Sequence, residues 1–146
     1  SILVVEDDLL VLKTLENIFD KSRFYVDLVS TGVDAFIKIH ENHYDIALSD
    51  LLLPGVNGLE VLSEAKRKTY LACVILFTGL PSENSHSKAL EMGITNYMIK
   101  PISKKKLLGR IDEYIKEYEI RYGTRKIGIM PPSQANHDLK TKSKYI

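Results

Sequence analysis

The sequence predicts an α/β domain in which helices cover both faces of a parallel β-sheet. Two observations indicate this fold class: five short apolar runs alternate with stretches of helical periodicity, and three of the runs are apolar at nearly every position. A run that is apolar throughout is typical of a strand covered on both faces. Strands and helices that alternate five times favour a parallel sheet with right-handed crossovers.

The predicted strands lie at regular intervals along the chain. They are Ile2–Val5, Val26–Val29, Ile46–Leu48, Cys73–Phe77 and Tyr97–Ile99. The first, third and fourth are almost wholly apolar, which indicates central positions in the sheet. The second contains Asp27 and partly alternates, so we expect it at an edge.

Helical spacing of apolar residues fills the intervals between the strands. The residues that repeat in this way are Leu12, Leu15 and Phe19; Ala35, Phe36 and Ile39; Leu59, Leu62 and Ala65; and finally Leu107, Ile111, Tyr114, Ile115, Tyr118 and Tyr122. A shorter helix is predicted over about residues 82–92, and Gly93 is a suitable residue to end it. Ser103 is a suitable N-cap for the last helix.

Length and charge predict one domain with an appendage. The chain has 146 residues, of which 45% are hydrophobic and 27% charged. We expect a domain over residues 1–122 and a basic tail or linker over residues 123–146. The domain carries 15 basic and 18 acidic side chains, and the tail carries five basic and one acidic side chain. This balance gives no electrostatic reason for the domain to bind nucleic acid directly.

The apolar runs and the single cysteine indicate the cellular compartment in which the protein is expected. No run approaches the ~20 residues needed to span a bilayer, and no signal peptide opens the sequence. Cys73 lies within an apolar run and is expected to be buried. We therefore expect a cytoplasmic protein without membrane contact.

Polar residues stand where the predicted strands end. The four groups are Glu6-Asp7-Asp8, Ser49-Asp50, Thr78-Gly79 and Lys100-Pro101. The carboxyl ends of parallel strands meet at one edge of the sheet, where ligands bind in this fold class. The sequence therefore predicts one cleft that holds several carboxylates, a hydroxyl and an ammonium group.

The residue types in this cleft indicate its chemistry. Clustered carboxylates repel one another and need a compensating cation. No cluster of His or Cys favours zinc, whereas oxygen ligands suit Mg²⁺, which keeps coordination positions for phosphate oxygens. A metal ion, Lys100 and the Thr78 hydroxyl around a nucleophilic carboxylate would suit a phosphoryl group.

This set of motifs resembles the receiver domains of bacterial two-component response regulators. The intervals also match: 43 residues separate Asp7 from Asp50, 28 lead on to Thr78 and 22 more to Lys100. Residues 53–58 are similar to the family's loop after the phosphoacceptor, and residues 89–97 to its approach to the fifth strand. The resemblance covers about residues 1–120 and implies a flavodoxin-like (βα)5 fold with strand order 2-1-3-4-5.

The resemblance also implies roles for the site residues. Asp50 would accept a phosphoryl group from a sensor histidine kinase or a phosphotransfer protein. Asp7, Asp50 and the backbone carbonyl of Leu52 would hold Mg²⁺, and Glu6 would act mainly through water. Lys100 would pair with the phosphoryl oxygens.

Further implied roles concern switching. Thr78 would hydrogen-bond the phosphoryl group and move toward it, and Tyr97 would turn inward in the active state. The bond from Lys100 to Pro101 would be cis. A surface formed by the fourth helix, fifth strand and fifth helix would rearrange for an output domain or target protein. Such a protein is no enzyme beyond catalysing its own phosphorylation and dephosphorylation.

Several alternatives remain open on the sequence alone. Asp8 is equally suited to capping a helix, Tyr97 to packing and Thr78 to ending a strand. A receiver-like interaction module regulated without phosphorylation is a second candidate function. A Mg²⁺-dependent aspartyl phosphohydrolase is a third, but such enzymes usually carry an Asp where this chain has Leu52.

Two departures from the family pattern concern assembly and turnover. The family often carries acidic residues where this chain has Ile94, Thr95 and Asn96, and those residues join ion pairs between subunits in one subfamily. Their absence argues against that dimer, and the oligomeric state is left open. Leu52 and Leu80 flank the predicted site with apolar side chains, which we expect to hinder an attacking water.

Overall fold

The computed structural model describes residues 1–123. The predicted tail, residues 123–146, lies outside the described residues except for Gly123. Within the described part, five helices and seven strands follow one another along the chain. They are β1 (Ile2–Val5), α1 (Leu9–Ile18), β2 (Val26–Val29), α2 (Gly32–Glu41), β3 (Ile46–Asp50), β4 (Leu52–Leu53), β5 (Val56–Asn57), α3 (Gly58–Lys68), β6 (Cys73–Thr78), α4 (Glu83–Glu91), β7 (Asn96–Ile99) and α5 (Lys104–Tyr122).

Five strands form one parallel sheet in the order β2-β1-β3-β6-β7. Counted among these five strands alone, this is the order 2-1-3-4-5, so the predicted fold class is confirmed. The partly alternating strand β2 lies at one edge, as its Asp27 indicated. The reversal of strand order beside β1 opens a crevice at the carboxyl ends of β1 and β3.

Alternation along each strand divides the core into two layers. Ile2 and Val4 of β1 pack on the side of α1 and α5, whereas Leu3 and Val5 pack on the side of α2 and α3. All four side chains are completely buried. A strand covered on both faces exposes no side chain to solvent, which explains why β1 is apolar throughout.

The helix termini match the local chemistry of the sequence. The Asp8 carboxylate accepts hydrogen bonds from the backbone N–H groups of Leu10 and Val11, so Asp8 caps α1. Ser103 caps α5 by accepting from the N–H of Lys106. Gly93 follows α4 with a φ of 76°, a left-handed conformation that glycine adopts without strain.

The two-stranded hairpin of β4 and β5 was not predicted from the sequence. Its strands pair antiparallel, with Leu52 opposite Asn57 and Leu53 opposite Val56, and Gly55 turns with a φ of 74°. Strands of two residues are too short to produce a periodic pattern, so nothing in the sequence distinguished them from a loop. None of the described helices has both the length and the hydropathy that a bilayer crossing requires.

Candidate functional site

The predicted site residues meet at the carboxyl edge of the sheet. Asp50 ends the central strand β3, and Lys100 follows the edge strand β7. The Lys100 Nζ atom lies 2.7 Å from Asp50 Oδ2 and 2.7 Å from Glu6 Oε2. Asp50 and Glu6, which precede Lys100 by 50 and 94 positions in the chain, therefore share its ammonium group.

Three carboxylates cluster at this edge of the sheet, two of them beside the ammonium group. Glu6, Asp7 and Asp50 each offer an oxygen that lies within 4.8 Å of the oxygens of the other two. Glu6 is fully buried and Asp50 is 6% exposed, whereas Asp7 is exposed to solvent. The cluster is therefore open on one side, where an ion or a small group could enter.

Burial and charge act on the pKa values of this cluster in opposite directions. Desolvation raises the pKa of Glu6 above its ordinary value, and the nearby charge of Asp50 adds to this effect, while contact with Lys100 opposes it. Burial lowers the pKa of Lys100, but its interactions with Asp50 and Glu6 outweigh the burial and raise the pKa. Lys100 thus stays charged at neutral pH.

The donor atoms of this cluster fit a hard divalent cation. The buried Glu6 Oε2 atom has Lys100 Nζ beside it at 2.7 Å, and the same ammonium also lies 2.7 Å from Asp50. Every ligand that the cluster offers is an oxygen, and carboxylate oxygens with open positions for water suit Mg²⁺. One ammonium does not balance three carboxylates, so a cation at Glu6, Asp7 and Asp50 would balance the remaining negative charge.

The backbone around Asp50 is held by several hydrogen bonds. The N–H of Leu52 donates to Asp50 Oδ1 at 3.3 Å, and the Ser49 hydroxyl donates to the Asp50 carbonyl oxygen at 3.0 Å. The Leu51 carbonyl oxygen accepts from the N–H of Gly58 at 2.8 Å. The first residue of α3 is therefore tied to the segment that carries Asp50.

Thr78 ends strand β6 and is completely buried. Its Oγ1 atom accepts a hydrogen bond from the N–H of Leu80 at 3.0 Å. The Thr78 carbonyl oxygen accepts from the N–H of Lys100 at 2.8 Å, and the bond between Lys100 and Pro101 is cis. Thr78 is thus linked both to the loop before α4 and to the segment that carries Lys100.

Tyr97 lies away from the carboxylates, on the side of α4. Its ring packs against the core layer of α2, α3 and α4, with the His86 ring 5.0 Å away. Its hydroxyl lies 2.8 Å from the Ser85 hydroxyl, which also contacts Ser82, the N-cap of α4. Sequence reasoning missed Ser85, because a serine within a helical stretch carries no signal of a tertiary contact.

The geometry can be compared with known proteins. A family model described as "Response regulator receiver domain" matches residues 2–112. The chain belongs to this family. Receiver domains are signalling domains without a classical catalytic role, and the acidic cluster of this chain lies at the carboxyl edge of the sheet.

Individual relatives agree with this membership. The regulatory protein VanRB of Enterococcus faecalis is 30% identical over 115 residues, which are 79% of this chain and 52% of VanRB. A CheY-like receiver domain protein of Methanospirillum hungatei has a similar structure, with a TM-score of 0.76 and 29% identity over 82% of this chain and 96% of that one. A structure described as the BeF3-activated DrrB receiver domain is also similar, with a TM-score of 0.71 and 29% sequence identity. The match covers 79% of this chain and 96% of that one.

The lengths of the relatives differ from that of this chain. The chain spans about half of VanRB and likewise 52% of YclJ of Bacillus subtilis, a second relative that is 29% identical over 82% of this chain. Isolated receiver structures are covered almost completely. The similarity is therefore to a receiver module, which these two relatives carry as part of a longer protein.

Proposed function

We propose that this receiver domain accepts a phosphoryl group on Asp50 from a sensor histidine kinase or a phosphotransfer protein, and that this changes a protein-binding surface. The observation that carries the proposal is the position of Lys100, whose ammonium lies 2.7 Å from both Asp50 and the buried Glu6. An ammonium beside the nucleophile offsets the negative charge that the phosphoryl group brings. The exchange is expected in the cytoplasm.

Asp7, Asp50 and the backbone carbonyl of Leu52 would hold Mg²⁺, and Glu6 would act mainly through water. When bound, the ion would neutralise charge on the phosphoryl oxygens and so favour attack by the nucleophile. The buried Glu6 carboxylate and the excess of carboxylates over the one ammonium beside them support this assignment.

The proposed reaction transfers the phosphoryl group from nitrogen to oxygen. An Asp50 carboxylate oxygen attacks the phosphorus of a phosphohistidine, the P–N bond breaks, and its electron pair stays on the imidazole. A P–O bond to Asp50 forms in its place. Lys100 remains protonated, because its pKa is raised, and pairs with a phosphoryl oxygen as it now pairs with Asp50.

The energy available from these contacts is adequate for a switch. Phosphorylation adds about 1.5 to 2 negative charges. Converting a 1:99 equilibrium into 99:1 requires about 5.5 kcal/mol of differential stabilisation. Hydrogen bonds to charged groups contribute about 1.5–3 kcal/mol each, so two or three of them, from Lys100 and Thr78, reach the required range.

The hydrogen bonds around α4 suggest how the change spreads. If Thr78 turns toward the phosphoryl group, its Oγ1 atom releases the N–H of Leu80. Leu80 is two residues before Ser82, which caps α4 and contacts the Ser85 hydroxyl. Ser85 is in turn bonded to Tyr97. The start of α4 and the Tyr97 ring are therefore the first parts of the α4–β7–α5 surface that should respond.

An apolar surface beside the site suits the phosphodonor. Leu9 and Leu10 in the first turn of α1 are 69% and 81% exposed. Leu10 also lines a cavity of about 440 Å³ between α1 and the loop after β7, and Lys100 and Pro101 form part of its wall. A donor that brings a histidine to Asp50 must pass this surface, so apolar residues there would contact it.

The proposed downstream partner is an output domain or a separate target protein. The match covers only about half of VanRB, which is described as a regulatory protein, and of YclJ, which is described as a transcriptional regulatory protein. The proposed boundary of the receiver is residue 122, where α5 ends, and the basic residues 123–146 would then be a tail or linker.

Intact-protein mass spectrometry tests the proposal. Incubation with MgCl₂ and acetyl phosphate should add one phosphoryl mass to the wild-type chain and none to Asp50→Asn. A second carboxylate variant of the described surface, Asp34→Asn, serves as the matched control and should be labelled normally. BeF3 treatment should alter the free wild-type protein, because the similar DrrB receiver is described as BeF3-activated.

The same experiment separates the alternatives. A receiver-like module regulated without phosphorylation would gain no mass under any condition. A phosphohydrolase would release phosphate from external phosphate esters over many turnovers, whereas a receiver would consume about one equivalent before dephosphorylation. Labelling of Asp50→Asn to the wild-type extent would contradict the proposal.

A further inference from the structure

Gly58, the first residue of α3, lies against the backbone of Asp50. A Cβ atom added to Gly58 would overlap the carbonyl oxygen of Asp50, and it would lie 2.8 Å from the carbonyl carbon and 3.0 Å from Ser49 Oγ. Atoms of a folded protein do not approach so closely, and two of the three neighbours are backbone. Only glycine fits here, and the reason is space rather than backbone conformation.

The contact joins two rigid parts of the molecule. Strand β3 is buried along its whole length, and α3 is anchored in the core by Leu59, Val61 and Leu62. Between them runs the hairpin of β4 and β5, in which Leu52 and Asn57 face each other and are exposed. A side chain at position 58 would therefore have to be accommodated where β3 ends, by a shift of the Asp50 carbonyl and of the residues that follow it up to Leu52.

Hydrogen bonds fix the same segment in its present place. The N–H of Gly58 donates to the Leu51 carbonyl, and the Ser49 hydroxyl donates to the Asp50 carbonyl. The N–H of Leu52 in turn donates to Asp50 Oδ1. The position of the Asp50 carboxylate relative to Lys100 thus depends on how closely α3 approaches the end of β3.

We propose that Gly58 and Ser49 are positioning residues for the phosphoacceptor: the missing side chain of one and the hydroxyl of the other hold residues 50–52 where Asp50 meets Lys100 and the cation. This inference rests on the proposed function and adds two residues that do not touch the phosphoryl group. A misplacement of about 1 Å in a reacting group costs about 100-fold in rate. The overlap at Gly58 demands a displacement of that order.

The test compares Gly58→Ala with Leu62→Ala. Both changes lie in α3, but Leu62 is a fully buried residue of the apolar core, so its truncation should lower stability alone. Labelling by acetyl phosphate is measured at a temperature at which circular dichroism shows both variants folded. Gly58→Ala should be labelled about 100-fold more slowly, and Leu62→Ala at the wild-type rate.

A second readout is independent of phosphorylation. Titration calorimetry with MgCl₂ alone should give a weaker affinity for Gly58→Ala than for Leu62→Ala or wild type, because the displaced residues 50–52 include the proposed ligands. Gly109→Ala, on an open part of α5 where an added Cβ meets nothing within 4 Å, should behave as wild type in both assays.

The results of these assays test the role of Gly58 and Ser49 separately from the proposed function. Wild-type labelling and Mg²⁺ affinity in folded Gly58→Ala would overturn it, as would an equal loss in Leu62→Ala. If Gly58→Ala does not fold, Ser49→Ala is tested instead. Loss of its one hydrogen bond should slow labelling about fivefold. An unchanged labelling rate would overturn the inference. Failure of the wild-type chain itself to be labelled would instead refute the proposed function.

Discussion

The two ends of the parallel sheet are built on different principles. At the carboxyl end, the buried carboxylates of Glu6 and Asp50 share one ammonium group. At the opposite end, the partly buried Tyr114 hydroxyl makes one hydrogen bond, which it donates to the Leu71 carbonyl at 2.9 Å. On the β2 edge, the Tyr44 hydroxyl donates to Asp27 at 2.6 Å.

This difference indicates where the molecule gives up stability for activity. Buried like charges raise the free energy of the folded state, and they persist where a ligand will later compensate them. Single satisfied hydrogen bonds contribute modestly and have no such purpose. Mutations at the carboxyl end should therefore change function and stability in opposite or unequal ways, whereas those at the opposite end should change stability alone.

Lys100→Met should produce the largest change in stability. Removing the ammonium leaves Glu6 and Asp50 buried without a counter-charge, and breaking a buried pair from one side costs about 3–5 kcal/mol. Urea unfolding without metal measures the effect. Added MgCl₂ should restore more stability to Lys100→Met than to the wild type, and equal increments would contradict the account of the cluster.

Leu10→Asp should affect only the exchange with a protein donor. Loss of an apolar contact worth about 1.4 kcal/mol corresponds to about tenfold slower transfer from a phosphorylated histidine kinase. Labelling by acetyl phosphate should be unchanged, because Leu10 does not belong to the carboxylate cluster. Val33→Asp, a similarly exposed apolar residue on α2, is the matched control. Equal rates for both variants with the kinase would remove α1 from the proposed docking surface.

Glu6→Gln should change how stability depends on pH. The folded state raises the pKa of Glu6, chiefly through burial, so the folded protein holds this proton more tightly than the unfolded chain, whose ordinary value is 4.5. The contribution of Glu6 to stability is therefore fully present below pH 4.5 and is lost as the pH rises through the higher, folded value. Glu6→Gln lacks this loss.

Urea unfolding without metal, from about pH 4 to about pH 8, measures this difference. The stability of the wild type relative to Glu6→Gln should fall across the interval above pH 4.5. A difference that stays constant, or one that rises with pH, would show that Glu6 is not destabilised by its burial. Saturating MgCl₂ should reduce the fall, because a cation favours the ionised carboxylate.

Tyr114→Phe should give the smallest change and represents the opposite end of the sheet. It removes one hydrogen bond, to the Leu71 carbonyl, and is expected to cost about 1 kcal/mol. The rate of labelling should stay at the wild-type value. A tenfold slower rate would mean that the two ends of the sheet are coupled more strongly than separate hydrogen bonds imply.

The sequence was informative about the fold because each strand carries its own signal. The apolar runs and the polar residues after them can be recognised locally, and parallel strands bring those residues to one edge. Lys100 could therefore be expected near Asp50 although 50 residues separate them. The edge position of β2 was predictable in the same way, from the single polar residue Asp27.

Other features depend on contacts that no local pattern encodes. The space at Gly58 exists only because α3 approaches the end of β3, and glycine also occurs at helix starts that make no such contact. The Ser85 hydroxyl meets Tyr97 across 12 residues, and a serine on a helix is ordinarily solvated. The hairpin that holds Leu52 consists of two-residue strands. Such features follow from packing and become visible only in three dimensions.

The most direct measurement identifies the residue that carries the phosphoryl group. The wild-type chain is incubated with a phosphorylated histidine kinase and Mg²⁺, trapped by borohydride reduction, which converts an aspartyl phosphate into homoserine, and sequenced by tandem mass spectrometry. The account predicts homoserine at position 50 and unchanged aspartate at positions 7 and 8. Homoserine at another position with Asp50 intact, or at no position at all, would contradict it.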